Sequence, residues 1–139
     1  MTAFLWAVLT ACIWGIVPLM EKIGISGTSP TVGVMVRSLG VVAGLLVFWG
    51  FWSPWQAIRT MSWPSLMLLA SGGFLASFIG QLAFYRALKF GAVSQVTPVA
   101  GAYPLVATLL GWLVLREPIT VPRAVGVLLV IAGVWLLRK

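Results

Sequence analysis

Five long apolar runs, separated by short polar breaks, are the feature that most limits what this chain can fold into. They cover about residues 3–20, 32–52, 65–84, 93–115 and 122–137. Each is close to the roughly 20 residues that an α-helix needs to cross about 30 Å of hydrocarbon. Only 8% of the residues are charged, against roughly 25% in a soluble domain. The sequence therefore predicts an all-α integral membrane protein, with one transmembrane domain over residues 1–139.

The breaks between the apolar runs contain charges and helix-breaking residues, which places them outside the hydrocarbon. They lie at about residues 21–30, 53–64, 86–91 and 116–121. Because every connection is short, we expect neighbouring helices to be antiparallel and to pack as one bundle of five.

Lysine and arginine are distributed unevenly between the two faces of this bundle. One face has Arg59, Arg116 and Arg123; the other has Lys22, Arg37, Arg86, Lys89, Arg138 and Lys139. The positive-inside rule then predicts an external N-terminus and a cytoplasmic C-terminus. The bias is modest, so insertion in both orientations stays open.

The polar inventory argues against catalysis and against metal or cofactor binding. The sequence has no histidine, and its two acids are Glu21 and Glu117. A Ser/His/Asp set is impossible without histidine, and the single Cys12 cannot form a cysteine-rich metal site. The net charge of +7 is spread over the ends of the apolar runs and forms no basic stripe, so no nucleic-acid partner is expected.

In the first helix, Thr10, Trp14, Pro18 and Glu21 follow steps of four, four and three and share one face. Pro18 should kink the helix and release a carbonyl group. Glu21 is the acid to consider for proton coupling. An ordinary packing face is the alternative.

In the second helix, Arg37 shares a face with Gly33, Gly40 and Gly44. A central arginine costs about 2.5–3.5 kcal/mol in a membrane, so Arg37 should point into the bundle. It either attracts an anion or extends to the lipid headgroups. Gly40 and Gly44 have a spacing suited to helix packing or to a dimer contact.

In the third helix, Gly73, Ser77, Gln81 and Tyr85 recur every four residues and form a polar stripe. Such a stripe lines a substrate cavity or makes hydrogen bonds between helices.

The last two helices contain helix breakers and small residues. Pro98 and Pro104, with Tyr103 between them, predict an irregular fourth helix, and transporters use broken helices at their binding sites. Gly126 and Gly133 lie two turns apart on the fifth helix and predict a contact with another helix or with a partner.

These residues also form a pattern that resembles the EamA domain of the drug/metabolite transporter superfamily. The similarity spans nearly the whole chain and lies in Trp14-Gly15 with Lys22, in Arg37, in residues 81–91, in Tyr103-Pro104, in residues 111–120, and in Gly126 to Gly133. The resemblance implies transport, often export, of small metabolites or amphipathic compounds across a bacterial or archaeal inner membrane.

Most members of that family carry two five-helix units related as inverted repeats, whereas this chain resembles a half-size member with one. Alternating access needs a second, inverted unit. The resemblance therefore implies a homodimer, or a pair with a related half-size protein, in contact with membrane lipid.

The leading hypothesis is a secondary transporter that exports a small-molecule substrate. Its cavity would be lined by Trp14, Arg37, Gln81, Tyr85 and Tyr103. The aromatic side chains would stack on the substrate, Gln81 would hydrogen-bond it, and Arg37 would attract a carboxylate or phosphate. The alternatives are a flippase for an undecaprenyl-linked head group and a non-transporting membrane subunit.

Overall fold

The computed structural model describes residues 3–51 and 55–137, and over these residues the chain forms eight α-helices. They are α1 (Ala3–Gly24), α2 (Pro30–Phe51), α3 (Trp55–Thr60), α4 (Trp63–Phe74), α5 (Gln81–Phe90), α6 (Val93–Ala100), α7 (Tyr103–Leu115) and α8 (Val121–Leu136). A π-helical segment, Leu75–Gly80, joins α4 to α5.

Four helical stretches are long and apolar enough to cross a membrane. They are Phe4–Gly24, Pro30–Phe51, Trp63–Phe90 and Val93–Leu115. The fifth apolar helix, α8, is shorter, with 16 residues or about 24 Å of length. The predicted all-α membrane fold is confirmed by these helices.

The helix ends differ from the sequence prediction at two places. α1 continues to Gly24, and the third span runs from Trp63 to Phe90 rather than over residues 65–84. The apolar pattern stops at the first charges, whereas backbone hydrogen bonds continue the helix through them. Some sequence predictions fall on residues outside the described ranges. They concern the end of the second helix, the loop after it and the membrane orientation, and the residues are Trp52, Ser53, Pro54, Arg138 and Lys139.

The chain divides into two compact units, Met1–Phe90 and Gly91–Lys139. In the first unit the buried side chains lie together, where the end of α1 and the start of α2 meet α5. They are Pro18, Ile25, Val34, Tyr85 and Leu88. The first half of α1, the second half of α2 and nearly all of α4 are exposed. Such apolar surface is suited to lipid or to another helix, and not to water.

Two lysines join helix ends at the buried end of the first unit, where α1, α2 and α5 meet. Lys22 Nζ donates a hydrogen bond to the carbonyl oxygen of Leu88 in the last turn of α5. Lys89 Nζ donates to the carbonyl oxygen of Thr28, at 2.6 Å, in the connection between α1 and α2. The Leu88 carbonyl lies in the last turn of α5, where carbonyl groups lack an intrahelical partner and a cation can satisfy one of them. These contacts hold α5 against α1 and against the loop between α1 and α2.

The connection between α2 and α4 contains the short helix α3, where the sequence pattern predicts only a turn. The rings of Trp49 and Trp55 lie 6.0 Å apart. The Arg59 guanidinium lies over the Trp55 ring, 5.0 Å from its centre. Tryptophan and arginine together are typical of the membrane–water interface.

The second unit contains a broken span. α6 ends at Ala100 and α7 begins at Tyr103. Pro98 lies inside α6, and Pro104 lies in the first turn of α7. Pro104 has no N–H group, so the carbonyl of Ala100 lacks its α-helical donor.

The turn after α7 depends on an unusual backbone conformation. Arg116 ends the helix with a φ of 55°. Among the described residues, it is the only non-glycine residue with a positive φ. The N–H of Glu117 then donates to the carbonyl oxygen of Gly111 at 3.1 Å. Arg123 Nη1 donates to the carbonyl oxygen of Pro118 at 3.1 Å, which holds the start of α8 against the turn.

Replacing Gly33 by alanine should destabilise the first unit. A Cβ atom at Gly33 would lie 2.8 Å from both Ile25 Cγ2 and Tyr85 Cε2. Crowding of this kind costs about 1–3 kcal/mol. The matched control is Gly50→Ala on the same helix, where a Cβ meets no atom within 4 Å. Unfolding in detergent, followed by circular dichroism, should show a loss for Gly33→Ala and no loss for Gly50→Ala. Equal stability of the two variants would contradict the close packing at Gly33.

Replacing Arg116 by glycine should stabilise the turn after α7. An L-residue in the left-handed region pays a steric penalty of about 1–2 kcal/mol that glycine does not pay. Arg116→Ala removes the same charge but keeps the penalty, and so serves as the control. We expect Arg116→Gly to exceed Arg116→Ala by about 1 kcal/mol in the free energy of unfolding. A glycine variant no more stable than the alanine variant would rule out strain at this residue.

Candidate polar site in the first unit

A carboxylate lies at the centre of the main polar cluster of the first unit. Glu21 Oε1 accepts hydrogen bonds from Gln81 Nε2 and from the Tyr85 hydroxyl, each at 2.9 Å. Arg37 Nε lies 3.3 Å from the same oxygen. We call Glu21, Arg37, Gln81 and Tyr85 the polar cluster.

Three helices place these side chains together. Glu21 lies in the last turn of α1, and Arg37 lies two turns into α2. Gln81 and Tyr85 are four residues apart at the start of α5 and therefore share a face. The π-helical segment directly precedes Gln81, and such insertions are frequent at functional sites.

Gly33 explains how Tyr85 can reach Glu21. The Tyr85 ring lies against α2 at a position where even a methyl group would collide with it. Tyr85 itself is 2% exposed. A larger residue at position 33 would push the ring, and with it the hydroxyl donor, away from the carboxylate.

The cluster balances one negative against one positive charge in an apolar setting. The Glu21 side chain is 9% exposed, and the Arg37 side chain is 34% exposed. Ionised groups within a membrane are costly unless they are paired and hydrogen-bonded. Here the acid is enclosed by three donors, whereas the base stays accessible. The arrangement can accept a proton at Glu21 and can offer N–H groups at Arg37 to a ligand.

Two other residues of the predicted cavity lie outside the polar cluster. Trp14 lies two turns before Glu21 on α1, and its side chain is 59% exposed. Tyr103 belongs to the second unit, where it begins α7 with 58% exposure. The structure thus brings together Glu21, Arg37, Gln81 and Tyr85 but not Trp14.

The predicted packing glycines all border open space. A Cβ added at Gly40, Gly44, Gly126 or Gly133 would meet no atom within 4 Å. Their role in contacts with another chain stays a prediction. Of the prolines predicted to kink helices, Pro18 is buried within a continuous α1, while Pro98 and Pro104 lie on either side of the break between α6 and α7.

The second unit has an open apolar groove on its surface. Its volume is about 490 Å³, and it is lined by Gln95, Val99, Leu105, Ile131, Val134 and Trp135. Gln95, which is the polar residue of this lining, donates its amide to the carbonyl oxygen of Leu137 at 3.1 Å. Within residues 3–51 and 55–137, no group of three or more His, Cys, Asp or Glu could hold a metal ion.

Comparison with known proteins agrees with a membrane transporter. Residues 1–139 match the EamA-like transporter family. An uncharacterised transporter from a Sinorhizobium species, encoded in a cobO 3′ region, is 29% identical over 135 residues, or 95% of this chain and 93% of the relative. An uncharacterised protein of Methanocaldococcus jannaschii is 27% identical over 139 residues, or 98% of this chain and 96% of the relative. No solved structure shows significant similarity to the chain.

The ion pair in the polar cluster should show strong energetic coupling. Arg37→Gln leaves the enclosed Glu21 carboxylate without its counter-charge, whereas adding Glu21→Gln removes both charges together. We therefore expect the double variant to be more stable than the sum of the single losses by about 1–3 kcal/mol. The measurement is a double-mutant cycle of unfolding free energies in detergent.

The pair Arg123 and Glu117 is a natural control for this cycle. Its atoms are 3.9 Å apart, and both side chains are more than half exposed. Exposed pairs contribute at most about 1 kcal/mol. The two single losses of unfolding free energy at Glu21 and Arg37 could instead simply add up in the double variant, as expected for the control pair. That result would contradict the description of the polar cluster.

Proposed function

From the premise that the chain belongs to the EamA-like transporter family, and is therefore a membrane transporter, we propose that it exports small metabolites or amphipathic compounds across the inner membrane. The proposal treats it as a secondary transporter, driven by the gradient of the substrate or of a coupled ion. The sequence has no phosphate-binding glycine-rich loop followed by lysine, which a nucleotide-driven pump of the P-loop class would need.

The observation that carries this proposal is the polar cluster within otherwise apolar spans. A carboxylate, a guanidinium, an amide and a phenol meet at one point. Ionisable groups inside membrane segments are retained mainly where they line a substrate or ion pathway. We propose that Arg37, Gln81 and Tyr85 contact the substrate and that Glu21 binds and releases a coupled proton.

The aromatic residues have a supporting role in this proposal. Trp14 and Tyr103 each expose more than half of their side chain. Exposed aromatic faces on membrane helices can stack on an amphipathic substrate. Trp14 shares a face of α1 with Glu21 because seven residues make about two turns.

The proposed working form is a dimer of inverted units. Inverted repeats allow a transporter to open alternately to either side, and residues 3–51 and 55–137 contain one set of five apolar helices. A second copy in the opposite orientation, or a related chain, would supply the other set. The open space at Gly40, Gly44, Gly126 and Gly133 favours close helix contacts there. The charge distribution favours an external N-terminus and leaves dual topology open.

One observation favours a second candidate function, a flippase for an undecaprenyl-linked head group. Arg37 is accessible at 34% exposure, and a guanidinium suits phosphate geometry. A flippase would depend on a lipid-linked substrate, whereas the exporter would move a soluble one.

Flux in proteoliposomes that contain this chain alone tests the proposed export. The panel comprises amino acids, amines, lipophilic cations and sugar phosphates, with and without a pH gradient. We expect saturable flux of at least one class, reduced at least about tenfold by Arg37→Ala, Gln81→Ala or Tyr103→Ala, because each removes a contact worth about 1.4 kcal/mol or more.

Arg59→Ala is the control for this experiment, since Arg59 contacts Trp55 in a connecting segment and should leave the flux unchanged. If all three cavity variants keep full flux, the proposed cavity is wrong. If a folded preparation moves no soluble compound but moves a lipid-linked sugar, the flippase is correct.

A further inference from the structure

The contact between Arg37 and Glu21 occupies one edge of the guanidinium group. Its closest approach joins Arg37 Nε to Glu21 Oε1, at 3.3 Å. A guanidinium holds five N–H groups in one plane, and pairing along the Nε edge uses at most two of them. At least three N–H groups remain on the two terminal nitrogens. Among residues 3–51 and 55–137, Glu21 is the only residue seen to accept an interaction from the Arg37 guanidinium.

Within the ion pair of the polar cluster, Arg37 is the more accessible side chain. Glu21 is enclosed, with 9% of its side chain exposed, against 34% for Arg37. The two other donors, Gln81 and Tyr85, are already directed at Glu21 Oε1. A ligand that enters the cluster therefore meets N–H donors before it meets the carboxylate.

Open space borders Arg37 on its own helix. Gly40 and Gly44 follow it by one and two turns on the same face, and a Cβ at either position would meet nothing within 4 Å. Within the first unit this face of α2 is therefore exposed beyond Arg37, where a ligand or a helix of a second chain can lie.

We infer that the substrate of this transporter is an anion, with a carboxylate or phosphate that binds the terminal N–H groups of Arg37, and that Glu21 is the internal competitor for the same guanidinium. The inference rests on the proposed transport function and specifies its substrate class.

Charge balance then links the anion to a proton. With Glu21 ionised, the pair with Arg37 is neutral, and a bound monoanion would leave one uncompensated negative charge in an apolar region. Protonation of Glu21 restores neutrality, so a proton and a monoanion occupy the site together. The two then cross the membrane in the same direction, and export follows the outward gradient of the substrate. The groups that face Glu21 are Arg37 from α2 and Gln81 and Tyr85 from α5, while Lys22 on α1 donates to Leu88.

Binding of four probes with related skeletons tests this inference. The probes are 3-phenylpropionate, phenyl phosphate, the neutral 3-phenylpropionamide and the cationic 3-phenylpropylamine. Affinities are measured by calorimetry on the full chain in phosphatidylcholine nanodiscs, with folding checked by circular dichroism. We expect at least one anion to bind at least about tenfold more tightly than the amide and the amine, because bidentate charge-assisted hydrogen bonds distinguish them.

Four variants make the assignment specific. Arg37→Gln should weaken anion binding at least about tenfold, whereas Arg37→Lys should retain part of it. Arg86→Gln removes an exposed positive charge from α5 and should leave binding unchanged. Glu21→Gln removes the competitor, so it should bind the anion more tightly at neutral pH and lose the pH dependence of the natural chain.

The outcomes separate this inference from the proposed function. Three results would each overturn the inference: the amide or amine binds as tightly as the anions, Arg37→Gln leaves anion binding unaffected, or the folded chain binds neither anion. Flux of another compound would still support the proposed transport function. Adding phosphatidylglycerol to the nanodiscs identifies the source of the anion. If it weakens both soluble anions in the natural chain but not in Arg37→Gln, the anionic group at Arg37 is a lipid phosphate.

Discussion

The ion pair between Glu21 and Arg37 is the interaction on which the first unit depends. Each charge alone would be costly in an apolar span, so each residue lowers the cost of placing the other there. Gln81 and Tyr85 complete the arrangement from α5 by donating to the same carboxylate oxygen. The distant helix α5 is thereby joined to the neighbouring helices α1 and α2 at one point.

The rest of the first unit is organised around that point. The buried side chains lie beside the polar cluster, Gly33 admits the Tyr85 ring, and Lys22 and Lys89 join the helix ends through backbone carbonyls. Beyond this end, α1, α2 and α4 expose apolar side chains along most of their length. Packing is thus concentrated at one end, and the remaining surface is available to lipid, to a second copy or to a substrate pathway.

The sequence predicts the helices well because their length and apolarity are set by the bilayer. It also singles out Arg37, Gln81 and Tyr85, since a polar residue in an apolar run is conspicuous at helical spacing. It does not reveal that all three meet at Glu21, because that meeting depends on how α1, α2 and α5 pack. The π-helical segment and α3 have no clear pattern in the sequence, and the contact of Gly33 with Tyr85 joins residues that no local rule connects.

The most direct test asks whether water reaches the polar cluster. In a Cys12→Ser background, Gln81→Cys and, as the control, Leu68→Cys on the exposed apolar surface of α4 are treated in proteoliposomes with a charged, membrane-impermeant thiol reagent. A substrate pathway predicts that the thiol at position 81 reacts much faster than the thiol at position 68, and that a bound anion slows it. Equal and negligible reactivity at both positions would mean that the polar cluster only joins helices and lines no substrate pathway.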